Sequence, residues 1–180
     1  DSITNNGTVN NKVDGEAGND IIVNNGTILD IAGGNDKDTI INKATVIGSI
    51  DAGAGDDSII NNGNADAIFG NAGNDYVFNE LAAWTSYIDG GMGNDTIVNN
   101  GNTDALQDAD GIDSITNNGL TGAILGGEGN DIINNNGVTD GVYGGDFSKD
   151  LGTADTLYVG TNSSIGTISG IESVIADGES

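Results

Sequence analysis

GGMGNDTIVNNGN, residues 90–102, sets three glycines and an Asn-Asp pair ahead of a short apolar run and closes on Asn-Asn-Gly. The stretch recurs in edited form along nearly the whole chain. Aligned on the aspartate that ends the glycine turn, its copies bring Asp1, Asp20, Asp38, Asp57, Asp75, Asp95, Asp113, Asp131 and Asp155 into one column. The intervals are 19, 18, 19, 18, 20, 18, 18 and 24 residues. A period of this length belongs to a solenoid coil rather than to a domain with a unique order of elements. Only the last interval is irregular, and it holds the insertion FSKDLGT (147–153).

Two apolar columns keep step with the aspartates. Two residues after them stand Ile3, Ile22, Ile40, Ile59, Val77, Ile97, Ile115, Ile133 and Leu157; seven before stand Val13, Ile31, Ile50, Ile68, Ile88, Leu106 and Ile124. The residues one and three after the aspartate vary freely, as in Ser58 and Ile60 or Tyr76 and Phe78. A fixed apolar residue between variable ones predicts a short strand with one side chain pointing inward. Each coil then holds two short strands, and the coils stack into two parallel sheets at about 4.8 Å per step, a rod roughly 40 Å long. Glycines in every repeat, with β-branched residues between them, oppose a helix throughout. The expected fold is all-β, a parallel β-solenoid of 18–20 residues per coil, with repeats over 1–155 and a metal-free coil or cap over 156–180.

Composition narrows the chemistry. Against 4 Lys+Arg stand 28 Asp+Glu, a formal net charge of −24. That imbalance argues against nucleic acid and anionic membrane surfaces as partners, which require basic patches. It suits a cation binder, or a disordered acidic tail that the regular spacing of Ile and Val opposes. The chain has 31 glycines and no proline, cysteine or histidine. Thiol nucleophiles, imidazole bases and zinc sites of the usual kind are therefore excluded, and disulfides with them. No apolar run approaches the length needed to span a bilayer, and no signal peptide stands at the front. Opening inside a repeat, at DSITNNG, the sequence reads as a fragment or a processed product.

The turns before the aspartates read GEAGND (15–20), AGAGDD (52–57), GNAGND (70–75), GGMGND (90–95) and GGEGND (126–131). They resemble the calcium-binding nonapeptide of the RTX family, G-G-x-G-x-D-x-U-x with U a large aliphatic residue. GGMGNDTIV and GGEGNDIIN match every fixed position, and the resemblance covers roughly residues 14–157. It implies a right-handed β-roll with several Ca²⁺ ions held between stacked turns. Asp20, Asp38, Asp57, Asp75, Asp95, Asp113, Asp131 and Asp155 are then expected to supply carboxylate oxygens. Gly15, Gly18, Gly53, Gly55, Gly70, Gly73, Gly90, Gly91, Gly93, Gly126, Gly127 and Gly129 are expected to shape the loops. Calcium takes six to eight oxygen ligands, and glycines reach φ > 0 and turn carbonyls toward a common point. The alternative, that these aspartates only serve the turns, leaves a column of like charges uncompensated.

Three turns depart from the pattern. GGNDKD (33–38) has Asp36 in place of the third glycine, and DADGID (108–113) loses the first two but adds Asp108 and Asp110. GGDFSKDLGTAD (144–155) carries the insertion with Asp146 and Asp150 as further oxygen donors.

The far turn of each coil differs from that of a β-roll with calcium at both edges. It reads NNGT (5–8 and 24–27), NKAT (42–45), NNGN (61–64 and 99–102), NNGL (117–120) and NNNG (134–137). Calcium is thus expected along one edge and a ladder of asparagines, including Asn24, Asn42, Asn61, Asn79, Asn99 and Asn117, along the other. NELAAWTSY (79–87) breaks that turn and suggests a bulge bearing Trp84 and Tyr87. Thr8, Thr27 and Thr45 begin a column of the kind that binds ice, but Asn64, Asn102 and Leu120 interrupt it.

With no constellation for acid–base or nucleophilic catalysis, an enzyme is not expected. The resemblance implies an extracellular bacterial protein exported by type I secretion, which folds on meeting calcium. A calcium-stabilised module of a surface protein or adhesin, holding a surface ligand, is the first expectation. A subunit stacking end-to-end with itself into a filament or surface layer is the second.

Overall fold

The computed structural model describes residues 1–145 and 154–177, so Asp146, Asp150 and the 147–153 insertion lie outside the described residues. The described chain is strand and turn, with no helix. Its strands form two parallel sheets, one of ten strands and one of twelve, and successive coils contribute to each in order. The repeat period has become the stacking step.

The first sheet is built from four-residue strands, among them Ile21–Asn24, Thr39–Asn42, Ser58–Asn61, Tyr76–Asn79, Thr96–Asn99 and Ser114–Asn117. They pair in perfect register: Ile22 lies beside Ile40, Ile40 beside Ile59, and Ile59 beside Val77. Alternation sends the second and fourth residues inward. The aliphatic column is fully buried, as is the second-sheet column Ile31, Ile50, Ile68, Ile88, Leu106 and Ile124. One core of these two columns runs the length of the rod.

The sequence predicts one inward side chain per strand of the first sheet; the structure has two. The second is asparagine. Asn24, Asn42, Asn61, Asn79, Asn99, Asn117 and Asn135 are buried with no exposed surface. From Asn5 onward each Nδ2 donates to Oδ1 of the asparagine one coil further along, at 2.8–3.0 Å, in an unbroken series to Asn135. Several also close their own turn by donating to the carbonyl two residues on, as Asn99 does to Gly101. An amide is well suited to this place because it carries both a donor and an acceptor, so an endless column satisfies itself.

The second sheet joins the far turn to the glycine turn. Its inner column changes character along the rod, from Ile28 and Val46 to Thr85, Thr103, Thr121 and Thr139, all buried. Threonine fits there because its hydroxyl donates to nearby carbonyls, Thr103 reaching Ser86 and Ala105. The aromatics of 79–87 are not on a bulged turn. Trp84 and Tyr87 lie in the strand Trp84–Met92, and the extra residues are absorbed by the tight turn in which Ala83 N–H donates to Glu80. Trp84 is exposed, whereas Tyr87 packs on Phe69 at 6.0 Å and donates to Asp89, so the two do not form one patch. Trp84 also stands between Asn64 and Asn102 in the surface column that starts with Thr8, Thr27 and Thr45. The strands Thr156–Val159, Ser164–Ser169 and Ser173–Ala176 continue both sheets.

Candidate metal centre

The eight predicted aspartates, Asp20 to Asp155, all face inward at the glycine edge and are at most 3% exposed. Their two oxygens have different tasks. Oδ1 accepts the backbone N–H of the aspartate one coil earlier: Asp20 N–H donates to Asp38, Asp57 N–H to Asp75, and Asp95 N–H to Asp113, at 2.8 Å each. The series continues to Asp131 N–H on Asp155 at 2.9 Å. The preceding residue runs a second series in the opposite sense, with Asn94 N–H on Asn74 Oδ1 and Ile112 N–H on Asn94 Oδ1, both 2.8 Å. The Asn-Asp doublet thus ties each turn to both of its neighbours.

Oδ2 is left over. In Asp20, Asp38, Asp57, Asp75, Asp95, Asp113 and Asp131 it is buried and receives no hydrogen bond from a donor group among the described residues. A buried oxygen of this kind costs roughly 1–3 kcal/mol, more if charged, so a repeated series of them calls for a cation or a proton.

The glycines show which space these oxygens face. A β-carbon built on Gly126 would lie 2.6 Å from the Gly144 carbonyl oxygen and 2.7 Å from Asp131 Oδ2. The same pair, a carbonyl from the next coil and Oδ2 of the coil's own aspartate, crowds the corresponding point on Gly15, Gly33, Gly70 and Gly144. No real side chain tolerates such contacts. Carbonyl and carboxylate oxygens thus lie side by side at these turns, the ligand type that a hard cation such as calcium takes. The neighbouring coil therefore brings a carbonyl to this point, while its aspartate turns Oδ1 to the backbone. At Asp57 the corresponding place is taken by the methyl group of Ala52, which pairs in the same row as Gly33 and Gly70.

The remaining predicted glycines serve the backbone. Gly18, Gly53, Gly55, Gly73, Gly91, Gly93, Gly127 and Gly129 have φ between 100° and 144°. Gly93 at φ 135° is representative: a side chain there would be strained and would also strike the Gly73 carbonyl. Glu16, Asp36 and Asn71 take up the left-handed conformation in equivalent places, so the GGNDKD turn keeps the backbone path. DADGID does not, because neither Ala109 nor Gly111 has a positive φ.

One member of the column escapes the sequence pattern. Glu172, which no glycine turn announces, accepts the Asp155 N–H at 2.8 Å, as an aspartate does elsewhere. Its sequence signal is the run SGIESV (169–174), which parallels DGIDSI (110–115): a glycine two residues before the acid and an aliphatic residue two after.

Burial dominates the electrostatics. It pushes the carboxyls of Asp75 and Asp113 up to about 7 and that of Asp131 up to about 6, with neighbouring carboxylates adding to the rise. Asp38, Asp57 and Asp95 are raised by the same burial. A group that binds its proton more tightly when folded stabilises the fold below its unfolded pKa of about 3.9, and that contribution is lost as pH rises through the folded value. The metal-free chain should accordingly gain sheet structure on acidification from pH 7 toward 4 in chelator, followed by circular dichroism. Loss of structure over that range would contradict the assignment.

No family model, no curated protein and no solved structure matches the chain.

Proposed function

We propose that this chain is a calcium-binding structural protein, a solenoid module whose folding is driven by ions held along its glycine edge. The observation that carries the reading is the row of buried Asp Oδ2 atoms facing carbonyls of the next coil. The resemblance of GGMGNDTIV and GGEGNDIIN to RTX nonapeptides supports calcium over other hard cations, and a net charge of −24 favours cation uptake. Carboxylate and carbonyl oxygens in a flexible arrangement suit calcium better than magnesium, which demands an octahedron and keeps its waters. The reading assigns the carboxylates to ion binding and backbone capping rather than to acid–base chemistry.

A fold that closes only around calcium belongs where calcium is plentiful. We infer a secreted bacterial protein of the RTX type, whose chain crosses the membrane unfolded and stiffens outside as part of a surface protein or adhesin. A subunit of a filament or surface layer, stacking end-to-end with itself, is the second reading.

Sedimentation velocity in millimolar calcium and in chelator tests the proposal. A slow, expanded species in chelator and a compact monomer in calcium support the module; a ladder of fast species in calcium supports assembly. A profile indifferent to calcium refutes both.

A further inference from the structure

The slot five residues before each aspartate is Gly15, Gly33, Ala52, Gly70, Gly90 and Gly126 in the regular coils, but in one coil it is Asp108. A side chain there points into the space where the other coils gather oxygens. Asp108 is 2% exposed, and among the described residues no donor other than the neighbouring carboxyl of Asp95 reaches its Oδ2. Its other oxygen receives the N–H of Ala109, at 3.1 Å.

Beside Gly90 the usual carbonyl gives way to this carboxylate. A β-carbon built on Gly90 would lie 2.6 and 2.8 Å from Oδ1 and Oδ2 of Asp108 and 2.8 Å from Oδ2 of Asp95. Asp113 completes the group: one oxygen from each of Asp95, Asp108 and Asp113 falls within 4.8 Å of the others, and all three residues are buried. Each of the three carries a buried Oδ2 without a hydrogen-bond donor among the described residues, and those of Asp95 and Asp108 both lie near Gly90. The backbone differs as well, for Ala109 and Gly111 lack the left-handed turn of the other loops.

We propose that Asp95, Asp108 and Asp113 form a distinct high-affinity site for a divalent cation of calcium's size, the first to fill as the solenoid forms. The proposal rests on the reading of the glycine edge as a cation edge and goes beyond it by singling out one coil. Ligand charge sets affinity in oxygen sites, and three carboxylates converge here where other coils pair one with a carbonyl. Asp108 sets a third carboxylate beside Asp95 and Asp113, and calcium accepts such crowded oxygen donors where magnesium demands a regular octahedron. A cleft of about 310 Å³, lined by Asp108 and by Asp110 and Glu128, opens beside it. Asp110 and Glu128 are paired across neighbouring coils, which places negative charge along the approach.

Calcium titration of the whole chain, by calorimetry and by competition with a chromophoric chelator, tests this on wild type, Asp108→Gly and Asp108→Asn. Asp108→Gly restores the residue that neighbouring coils carry, and Asp108→Asn keeps size while removing charge. Wild type should show one step tighter than the rest; both variants should lose it, weakening that step by about tenfold or more. The weaker steps should stay unchanged in Asp108→Gly, while the melting temperature in saturating calcium should fall, because a weaker site contributes less to the folded state. A tight step that survives in both variants, or a uniform weakening of all steps, overturns the proposal while leaving the general cation edge standing. If wild type takes up no calcium at all, the general reading fails with it.

Discussion

Removing calcium from this protein with a chelator at pH 7 should unfold it, with loss of the sheet signal in far-ultraviolet circular dichroism and its return when calcium is added back. The size of the effect follows from the number of sites. Five glycines, Gly15, Gly33, Gly70, Gly126 and Gly144, face a carboxylate paired with a carbonyl, and Gly90 faces carboxylates alone. A site held at a hundred times its dissociation constant contributes about 2.7 kcal/mol. Several such sites together exceed the roughly 5–15 kcal/mol by which domains are stable. Loss of the ions also leaves buried carboxylates to repel one another along the column, relieved only in part by protons, since burial holds Asp75 and Asp113 at about 7. The transition should be steep in calcium concentration, because each coil contacts only its neighbours and every ion joins two of them. A chain that keeps its spectrum in chelator at pH 7 would show that the two aliphatic columns and the asparagine ladder hold the coils unaided.

The second large effect lies on the opposite edge. Asn79→Ala should cost about 2–6 kcal/mol, from two buried groups left unpaired at about 1–3 kcal/mol each. Asn61 Nδ2 would lose its acceptor and Asn99 Oδ1 its donor, both now held at 2.8–2.9 Å. The lesion sits in the middle of the rod, so it also weakens the interface between the two halves of the array. Asn118→Ala is the control: Asn118 donates to Asn100 at 2.8 Å in an exposed ladder, where water replaces the lost partner. It should change stability by less than about 0.5 kcal/mol. Denaturant unfolding in saturating calcium measures both. Equal effects from the two would mean that stacking of amides, not burial, sets the contribution of the ladder.

Much of this architecture was legible in the sequence because a solenoid writes its geometry as a period. The columns of Ile22, Ile40 and Ile59 and of Ile31, Ile50 and Ile68 specify two inward rows, and the structure places both in the core. The asparagine ladder was legible as an edge but not as core. Its signal was available: Asn24, Asn42 and Asn61 recur at a fixed place two residues past the buried Ile, on the same face of the strand. A polar residue reads as surface until the column that satisfies it is seen whole.

The division of labour within each aspartate was not legible at all. Nothing in GEAGND or GGEGND tells that Oδ1 takes the amide of one neighbouring coil while Oδ2 faces the carbonyl of the other, since both partners lie a full coil away. Asp108 was legible as an oxygen donor in an irregular turn, but its inward direction depends on the slot it shares with Gly90 and Gly126. Glu172 was missed because a glutamate stands where the other coils carry aspartate and Gly170 alone stands for their glycine turn, though it holds the same amide bond.

Crystals grown in calcium, with anomalous difference density recorded at a long wavelength, test the central claim most directly. The account predicts a single file of peaks along the glycine edge, beside Gly15, Gly33, Gly70, Gly90, Gly126 and Gly144. It predicts no peak beside Ala52, whose methyl group fills that place, and none along the asparagine edge. Peaks on the asparagine edge, or a glycine edge without any, would contradict it.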